Sequence, residues 1–230
     1  MFKFKHFIIN DSQCAQKVGT DSVLLGAWAD IANARHILDI GSGSGVLSLM
    51  AAQRSPQATV VGVEIDSQAA AQSRDNVLHS PYAQRVEIVE QDVRIFQHAE
   101  PFDAILSNPP YLTEETLPPD SRRSLARHAQ HLTFGQLTAS AERLLSKDGQ
   151  FHVVLPHNLR NEFVSQSLMV GLFLTRECLV RTVQSKPPRR ILLTFSRHSS
   201  QPLRHEEIIL QNPDGSRSSA YASLSKDFYL

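Results

Sequence analysis

Between a short β-like run, His36-Ile37-Leu38-Asp39-Ile40, and a stretch with helical spacing of Val46, Leu47, Leu49 and Met50 lies Gly41-Ser42-Gly43-Ser44-Gly45. Glycine at alternate positions lets the backbone turn tightly and pass close to a bound molecule, while the next helix aims free N–H groups at that molecule's negative end. Strand, glycine loop and helix in this order open an α/β ligand-binding unit, and the chain keeps to that alternation. Thr59 to Ile65 is a strand-like run, five of its seven residues β-branched, after which Asp66 can cap an alanine-rich helix reaching Leu78. Val86 to Val89, Phe102 to Leu106 and Gln150 to Leu155 are further strands, too short to carry a helical stripe. Thr133 to Ser146 predicts a helix opened by a Thr133/Gln136 capping box and stopped by Gly149.

Strands alternating with helices imply right-handed βαβ crossovers, so the expected fold class is α/β, a doubly wound, mostly parallel sheet with helices on both faces. Toward the end, Leu172 to Val183 and Arg189 to Phe195 are joined by Gln184-Ser185-Lys186-Pro187-Pro188, too short for a crossover helix. That pair predicts a C-terminal antiparallel hairpin. Tyr221, Leu224 and Phe228 predict a last short helix folded onto the core. Residues 1–35 stand outside the series, with a hairpin at Phe2 to Ile9 and an amphipathic helix around Asp21 to Asp30. No linker or repeat interrupts the 230 residues, which read as a single domain, 1–230, with an extension over 1–35 and a core over 36–230.

Composition mainly excludes. With 41% apolar and 20% charged residues, neither a disordered nor a fibrous chain is expected. Lys plus Arg and Asp plus Glu both total 23, so the net charge is silent about partners. Cys14 and Cys178 are too few for a disulfide framework or a four-cysteine zinc site, and no other set at ligand spacing suggests a metal. A cytoplasmic location is expected. No run of about 18 apolar residues offers a membrane span.

The acids that follow the glycine loop narrow its ligand. Glu64, nineteen residues after Gly45, ends the second strand of the series, where a carboxylate can accept both hydroxyls of a ribose. Asp92, twenty-eight residues on, closes the third strand, within reach of an adenine amino group. Singly, a glycine turn can be structural and each acid an ordinary loop residue; jointly they mark the sheet edge where such folds bind ligands. A dinucleotide stays open on this ground, although Val46 at the sixth position of the loop favours a cofactor with a compact amino-acid end.

Ser107-Asn108-Pro109-Pro110-Tyr111 follows the fourth strand directly. Two prolines hold Asn108 extended, so that its amide and the Pro109 carbonyl form a rigid pair of acceptors. Such a pair suits a planar exocyclic amine, whose delocalised lone pair becomes available when both N–H bonds are held out of plane. Tyr111 could stack on the ring. A base or a comparable planar amide is the expected substrate.

In motif order, Leu38 to Gly45, Glu64, Asp92 and Asn108 to Tyr111 resemble the class I S-adenosylmethionine-dependent methyltransferases of the amino-methylating branch, which have a Rossmann-like fold. Phe2 to Phe7, Cys14 to Asp21, Leu24 to Ala29, Arg190 to Ser196, Pro213-Asp214, Ala220-Tyr221 and Phe228 to Leu230 extend the likeness to the family of bacterial tRNA1(Val) adenine-N6 methyltransferases. One departure is Ser22, where relatives often have glycine. The resemblance implies S-adenosylmethionine as cofactor and, as substrate, the tRNA adenine next to the anticodon. It also implies roles: Glu64 for the ribose, Asp92 for the adenine, Asp39 with Gly41, Gly43 and Gly45 for the methionine end, and Gly19, Thr20 and Asp21 closing over that end. Asn108, Pro109 and Tyr111 would be catalytic, with Asn108 also near the cofactor. Enzymes that methylate a glutamine side-chain amide share the Asn-Pro-Pro-Tyr segment but usually carry a helical domain before the glycine motif, and only 40 residues precede Gly41 here. A nicotinamide-dependent dehydrogenase would leave that segment unexplained, and a non-catalytic RNA-binding subunit would not need every motif position intact.

Phosphate binding depends on local cations rather than on the total. From Arg176 to His198 the chain carries Arg176, Arg181, Lys186, Arg189, Arg190 and Arg197 against Glu177, a local +5, whereas Val86 to Asp103 sums to −4. Lys186, Arg189 and Arg190, together with Arg122, Arg123, Arg127, His128 and His131, are the expected RNA-binding residues, with Lys3 and Lys5 as further candidates. A monomer is expected.

Overall fold

The computed structural model describes residues 1–14, 16–110, 132–199 and 202–229. Tyr111, Arg122, Arg123, Arg127, His128 and His131 lie outside the described residues. A two-stranded antiparallel hairpin, β1 (Phe2–Lys3) and β2 (Ile8–Ile9), precedes helix α1 (Thr20–Trp28). The alternating series follows: β3 (His36–Ile40), α2 (Val46–Arg54), β4 (Thr59–Glu64), α3 (Ser67–Leu78), β5 (Val86–Glu90) and β6 (Phe102–Ser107). After the undescribed segment come α4 (Phe134–Leu144), β7 (Leu145–Pro156) and α5 (Arg160–Met169). The chain then forms β8 (Phe173–Arg181), β9 (Arg190–Ser196), β10 (Arg204–Ile209) and α6 (Ser219–Ser225).

One eight-stranded sheet has the order β10-β8-β9-β7-β6-β3-β4-β5. Strands β5, β4, β3, β6 and β7 are mutually parallel, and β9 runs antiparallel to both β7 and β8. Strand β10 pairs parallel with β8. The doubly wound sheet with a C-terminal hairpin is therefore the observed fold.

Alternation of side chains across the pleat divides the core. Ile37, Val60, Val86, Ile88, Ala104 and Leu106 face α2, α3 and the N-terminal Phe4, Phe7 and Ile9. Leu38, Ile40, Val61, Val63 and Ile105 face the other way, toward Leu137 and Ala141 of α4 and Phe163 of α5. Leu24, Leu25 and Trp28 of α1 cluster with Val154, Cys178, Val180, Leu192 and Tyr221 over the C-terminal strands.

Local signals account for most element boundaries. The Asp66 carboxylate accepts the Ala69 N–H at 2.8 Å, and Thr133 and Gln136 form the capping box reciprocally, each worth about 1 kcal/mol. Three details depart from expectation. Helix α1 is buried from Ser22 through Trp28 instead of amphipathic, because α2, α6 and the sheet enclose it. Gly149 does not stop α4: that helix ends at Leu144, and Gly149 lies in a bulge of β7, where an added Cβ would sit 2.8 Å from the Phe102 carbonyl oxygen. Helix α5 and strand β10 are additional. Only Phe163 and Ser167 of α5 are buried, and β10 reads Arg-His-Glu-Glu before its two isoleucines, so neither shows a clear apolar period.

Candidate active site

The parallel register brings three strand ends level. Ile40 pairs with Val63 on one side and Ser107 on the other, so the loops after β3, β4 and β6 meet along one sheet edge. Ser107 Oγ donates to the Ile40 carbonyl at 2.9 Å, and the Gly41 N–H donates to the Val63 carbonyl at 2.9 Å, locking the loops to one another.

Gly41, Gly43 and Gly45 all have positive φ, +73°, +54° and +80°. Their surroundings differ. A Cβ at Gly45 would lie 2.5 Å from Ser73 Oγ, so that glycine permits the close approach of the loop to α3. A Cβ at Gly41 or Gly43 would meet nothing within 4 Å; these two form a backbone cradle bordering open space.

Glu64 closes the cradle. Its Oε2 accepts the Gly43 N–H at 2.8 Å and its Oε1 the Asp66 N–H at 2.9 Å, which leaves each oxygen a further lone pair for a hydroxyl. Asp39 is fully buried; its Oδ2 accepts the Ser48 hydroxyl at 2.7 Å, while Oδ1 has no partner, as is also true of the nearby Ser42 and Ser73 hydroxyls. Burial pushes its carboxyl up to about 7; the Ser48 hydrogen bonds oppose that shift and the Glu64 charge adds to it. Orphaned polar atoms beside a glycine cradle are the environment that a ligand with an ammonium group and hydroxyls would complete, so S-adenosylmethionine fits the residues present.

Asp92 lies two residues past β5, whose last residue is Glu90. Arg94 occupies it: the carboxylate accepts the Arg94 N–H at 2.9 Å and the guanidinium at 2.8 and 3.0 Å, which holds it below the usual carboxylate range. Asp92 therefore reaches the edge as half of an ion pair, not as a bare acid.

Asn108 is buried at the end of β6, and its Nδ2 donates to Ser22 Oγ in α1 at 2.9 Å. Pro109 is buried beside it. Asp21, the residue before Ser22, accepts Arg190 Nε at 2.7 Å, while Gly19 is the N-cap of α1 and Thr20 its first residue. The start of α1 is thus tied to β6 by Ser22 and to β9 by Asp21. Ser22, singled out in the sequence only as a departure, has a definite partner. Replacing it by Ala is expected to lower kcat about tenfold with cofactor affinity unchanged, the effect of losing one buried hydrogen bond from an orienting group. Steady-state kinetics would show this, and an unchanged kcat would mean that the amide is oriented by other contacts.

The basic segment is less positive in space than in sequence. Arg176 pairs with Glu206 at 2.7 Å and lies over the Trp28 ring at 3.9 Å, Arg181 pairs with Glu207 at 2.5 Å, and Arg197 pairs with Glu142. With Arg190 on Asp21, four of the six cations meet acids from other elements, two of them on β10. Lys186 and Arg189 are exposed and have no ion pair among the described residues. Among the described residues, no group of three His, Cys, Asp or Glu could hold a metal ion, and no helix is long and apolar enough to cross a membrane.

Comparison with known proteins agrees with this geometry. The family model described as methyltransferase small domain matches residues 13–184. The tRNA1(Val) (adenine(37)-N6)-methyltransferase of Bacteroides thetaiotaomicron is 40% identical over 230 residues, covering 100% of this chain and 97% of that protein. The protein of the same name from Yersinia pestis is 42% identical over 232 residues, covering 100% of this chain and 93% of its own. Among solved structures, an Agrobacterium tumefaciens protein titled a predicted O-methyltransferase superposes with a TM-score of 0.69 at 20% identity, over 90% of this chain and 96% of that one. A glycopeptide N-methyltransferase complexed with S-adenosylmethionine superposes at 0.58 and 13% identity, over 80% and 90%. The two structures share the fold, while the match over residues 13–184 and the full-length identity go further: the chain belongs to the methyltransferase small domain family and, within it, to the tRNA1(Val) (adenine(37)-N6)-methyltransferases.

Proposed function

We propose that this protein transfers a methyl group from S-adenosylmethionine to N6 of an adenine in tRNA, the adenine at position 37 of tRNA1(Val). The observation that carries the reading is the placement of Asn108 and Pro109 at the end of β6, next to the glycine cradle at the end of β3. Relatives matched over 97% and 93% of their length bear that activity in their names.

When bound, S-adenosylmethionine supplies a methyl group already activated on a sulfonium. The protein's task is alignment. Asp39 and the loop of Gly41, Gly43 and Gly45 receive the methionine end, Glu64 the ribose and Asp92 the adenine, with Gly19, Thr20 and Asp21 over the top. The Asn108 amide oxygen and the Pro109 carbonyl accept the two N6 hydrogens of the target and draw its lone pair out of conjugation. Tyr111 stacks on the base. In-line geometry then contributes much of the acceleration, and the proton leaves to water afterwards. The target base must leave its stack to enter, which is least costly in a loop. Lys186, Arg189, Arg190, Arg122, Arg123 and Arg127 hold the RNA backbone, and the reaction belongs to the cytoplasm.

Mass spectrometry of nucleosides from tRNA incubated with the pure protein and cofactor tests the reading. N6-methyladenosine that requires both is the expected product. Methyl label recovered in protein and not in tRNA would turn the assignment to the glutamine-amide alternative.

A further inference from the structure

The sheet edge that carries Asn108 does not end there. Pro156 at the end of β7 pairs with Arg190, Arg190 with Val180 of β8, and Arg181 with Ile209 of β10, so the residues just beyond β8 and β10 lie on the same edge. The Gln211 N–H donates to the Thr182 carbonyl at 2.9 Å there, closing that end of the sheet. Between this edge and the start of α1 is a cavity of about 590 Å³, lined among others by Thr20, Thr182, Gln211, Arg217, Tyr221 and Tyr229. Thr20 is two residues from Ser22, the partner of Asn108, so the first turn of α1 is a wall shared by the cavity and the candidate active site.

Its floor is built. The Arg217 guanidinium lies 4.2 Å from the centre of the Tyr229 ring, and the Tyr229 and Tyr221 hydroxyls are 3.0 Å apart. A bridge between Gln211 and Arg217, with the Ser216 N–H donating to Asp214 Oδ1 at 2.9 Å, fixes the intervening loop. Arg217 is exposed and has no acidic partner among the described residues, in contrast to Arg176, Arg181, Arg190 and Arg197. Lys186 and Arg189, in the β8–β9 connection that starts at Thr182, likewise have no ion pair among the described residues. A second depression of about 420 Å³, lined by Val183, Gln184, Ser185 and Pro213, follows directly along both segments.

A guanidinium with one face on a tyrosine offers its other face for stacking, and a planar cation stacked on a base is a recurrent way to hold an unpaired nucleotide. We infer that this cavity is a second nucleotide site for the substrate RNA: it takes a base flanking the target adenine, stacked on the outer face of the Arg217–Tyr229 pair, with its phosphate toward Lys186 and Arg189. The inference rests on the proposed tRNA substrate. It adds a determinant of RNA affinity that lies outside the methyl-transfer site and reads a splayed loop by stacking instead of by base pairing.

The test uses the full-length protein with S-adenosylmethionine and tRNA. Arg217→Ala is expected to raise KM for tRNA about tenfold and leave kcat within about twofold, the size of effect that loss of one base stack produces. Cofactor affinity and the circular dichroism spectrum should not change. Arg217→Lys keeps the charge and loses the plane, so it should retain the salt dependence of binding without recovering the wild-type KM. In a parallel experiment, 2-aminopurine replaces in turn the nucleotide on either side of the target in an anticodon stem-loop. One of the two positions should be quenched on binding wild type and not on binding Arg217→Ala. A wild-type KM in Arg217→Ala, full recovery in Arg217→Lys, or no quenching at either position, from a wild type that does methylate tRNA, would overturn the cavity assignment alone. A wild type that neither binds nor methylates tRNA would overturn the substrate reading with it.

Discussion

Replacing Asn108 by Ala is expected to lower kcat for tRNA methylation by about three orders of magnitude, with S-adenosylmethionine affinity changed by no more than about threefold. The separation follows from where the side chains sit. The groups proposed to face the cofactor, Asp39, the three glycines and Glu64, belong to β3, β4 and their loops, and the hydrogen bonds of Asp39 and Glu64 run to Ser48, Gly43 and Asp66 and not to Asn108. Truncation removes one of the two acceptors that would pyramidalise the target amine and leaves the Pro109 carbonyl, which cannot align N6 alone. The cost in stability is modest, about 1 kcal/mol for the hydrogen bond to Ser22. Single-turnover methylation together with calorimetric cofactor titration measures both quantities, and turnover within about tenfold of wild type would remove Asn108 from the chemistry. A second variant sharpens the reading. If Ser22 acts through Asn108, Ser22→Ala should add nothing to an Asn108→Ala protein, since a double-mutant cycle reports full coupling when one residue only positions the other.

The alternation of β-branched runs and helical stripes was enough to place β3, α2, β4, α3, β5 and β6, because each buries a face whose period can be read directly. The candidate site is legible for the same reason: strand ends in a parallel sheet fall on one edge, so strand order alone brings Gly41, Glu64 and Asn108 together. What stayed hidden was pairing across elements. The run from Arg176 to Arg197 counts as strongly basic in sequence, yet Glu206 and Glu207 come from β10, a charged edge strand with no apolar alternation to announce it. Asp92 looked like a free acceptor, although Arg94, only two residues away, turns back onto it. Ser22 looked like an anomaly because its partner is 86 residues distant.

Asp39 should make stability depend on pH with a sign opposite to that of an ion-paired acid such as Asp92, whose carboxyl is held low. Its carboxyl moves from an ordinary 3.8 up to about 7 because it is buried, so between those values the folded protein holds a proton that the unfolded chain has released. Stability from this group is therefore lost as pH rises from about 4 and levels off above about 7. His152 works in the other direction. Burial lowers it from 6.5 to about 3, so the unfolded chain binds the extra proton between those values and stability rises with pH across that range. The two slopes oppose each other over acidic pH, and a wild-type profile alone would look flat. A comparison with Asp39→Asn isolates the carboxyl, because the amide is neutral throughout and His152 is common to both proteins. Without cofactor, the variant is expected to gain about 3 kcal/mol on wild type between pH 5 and pH 8, measured by urea unfolding at each pH. A difference that does not change with pH would show that Asp39 stays ionised in the fold, and with it would go the account of Asp39 Oδ1 as a buried atom awaiting a cationic partner.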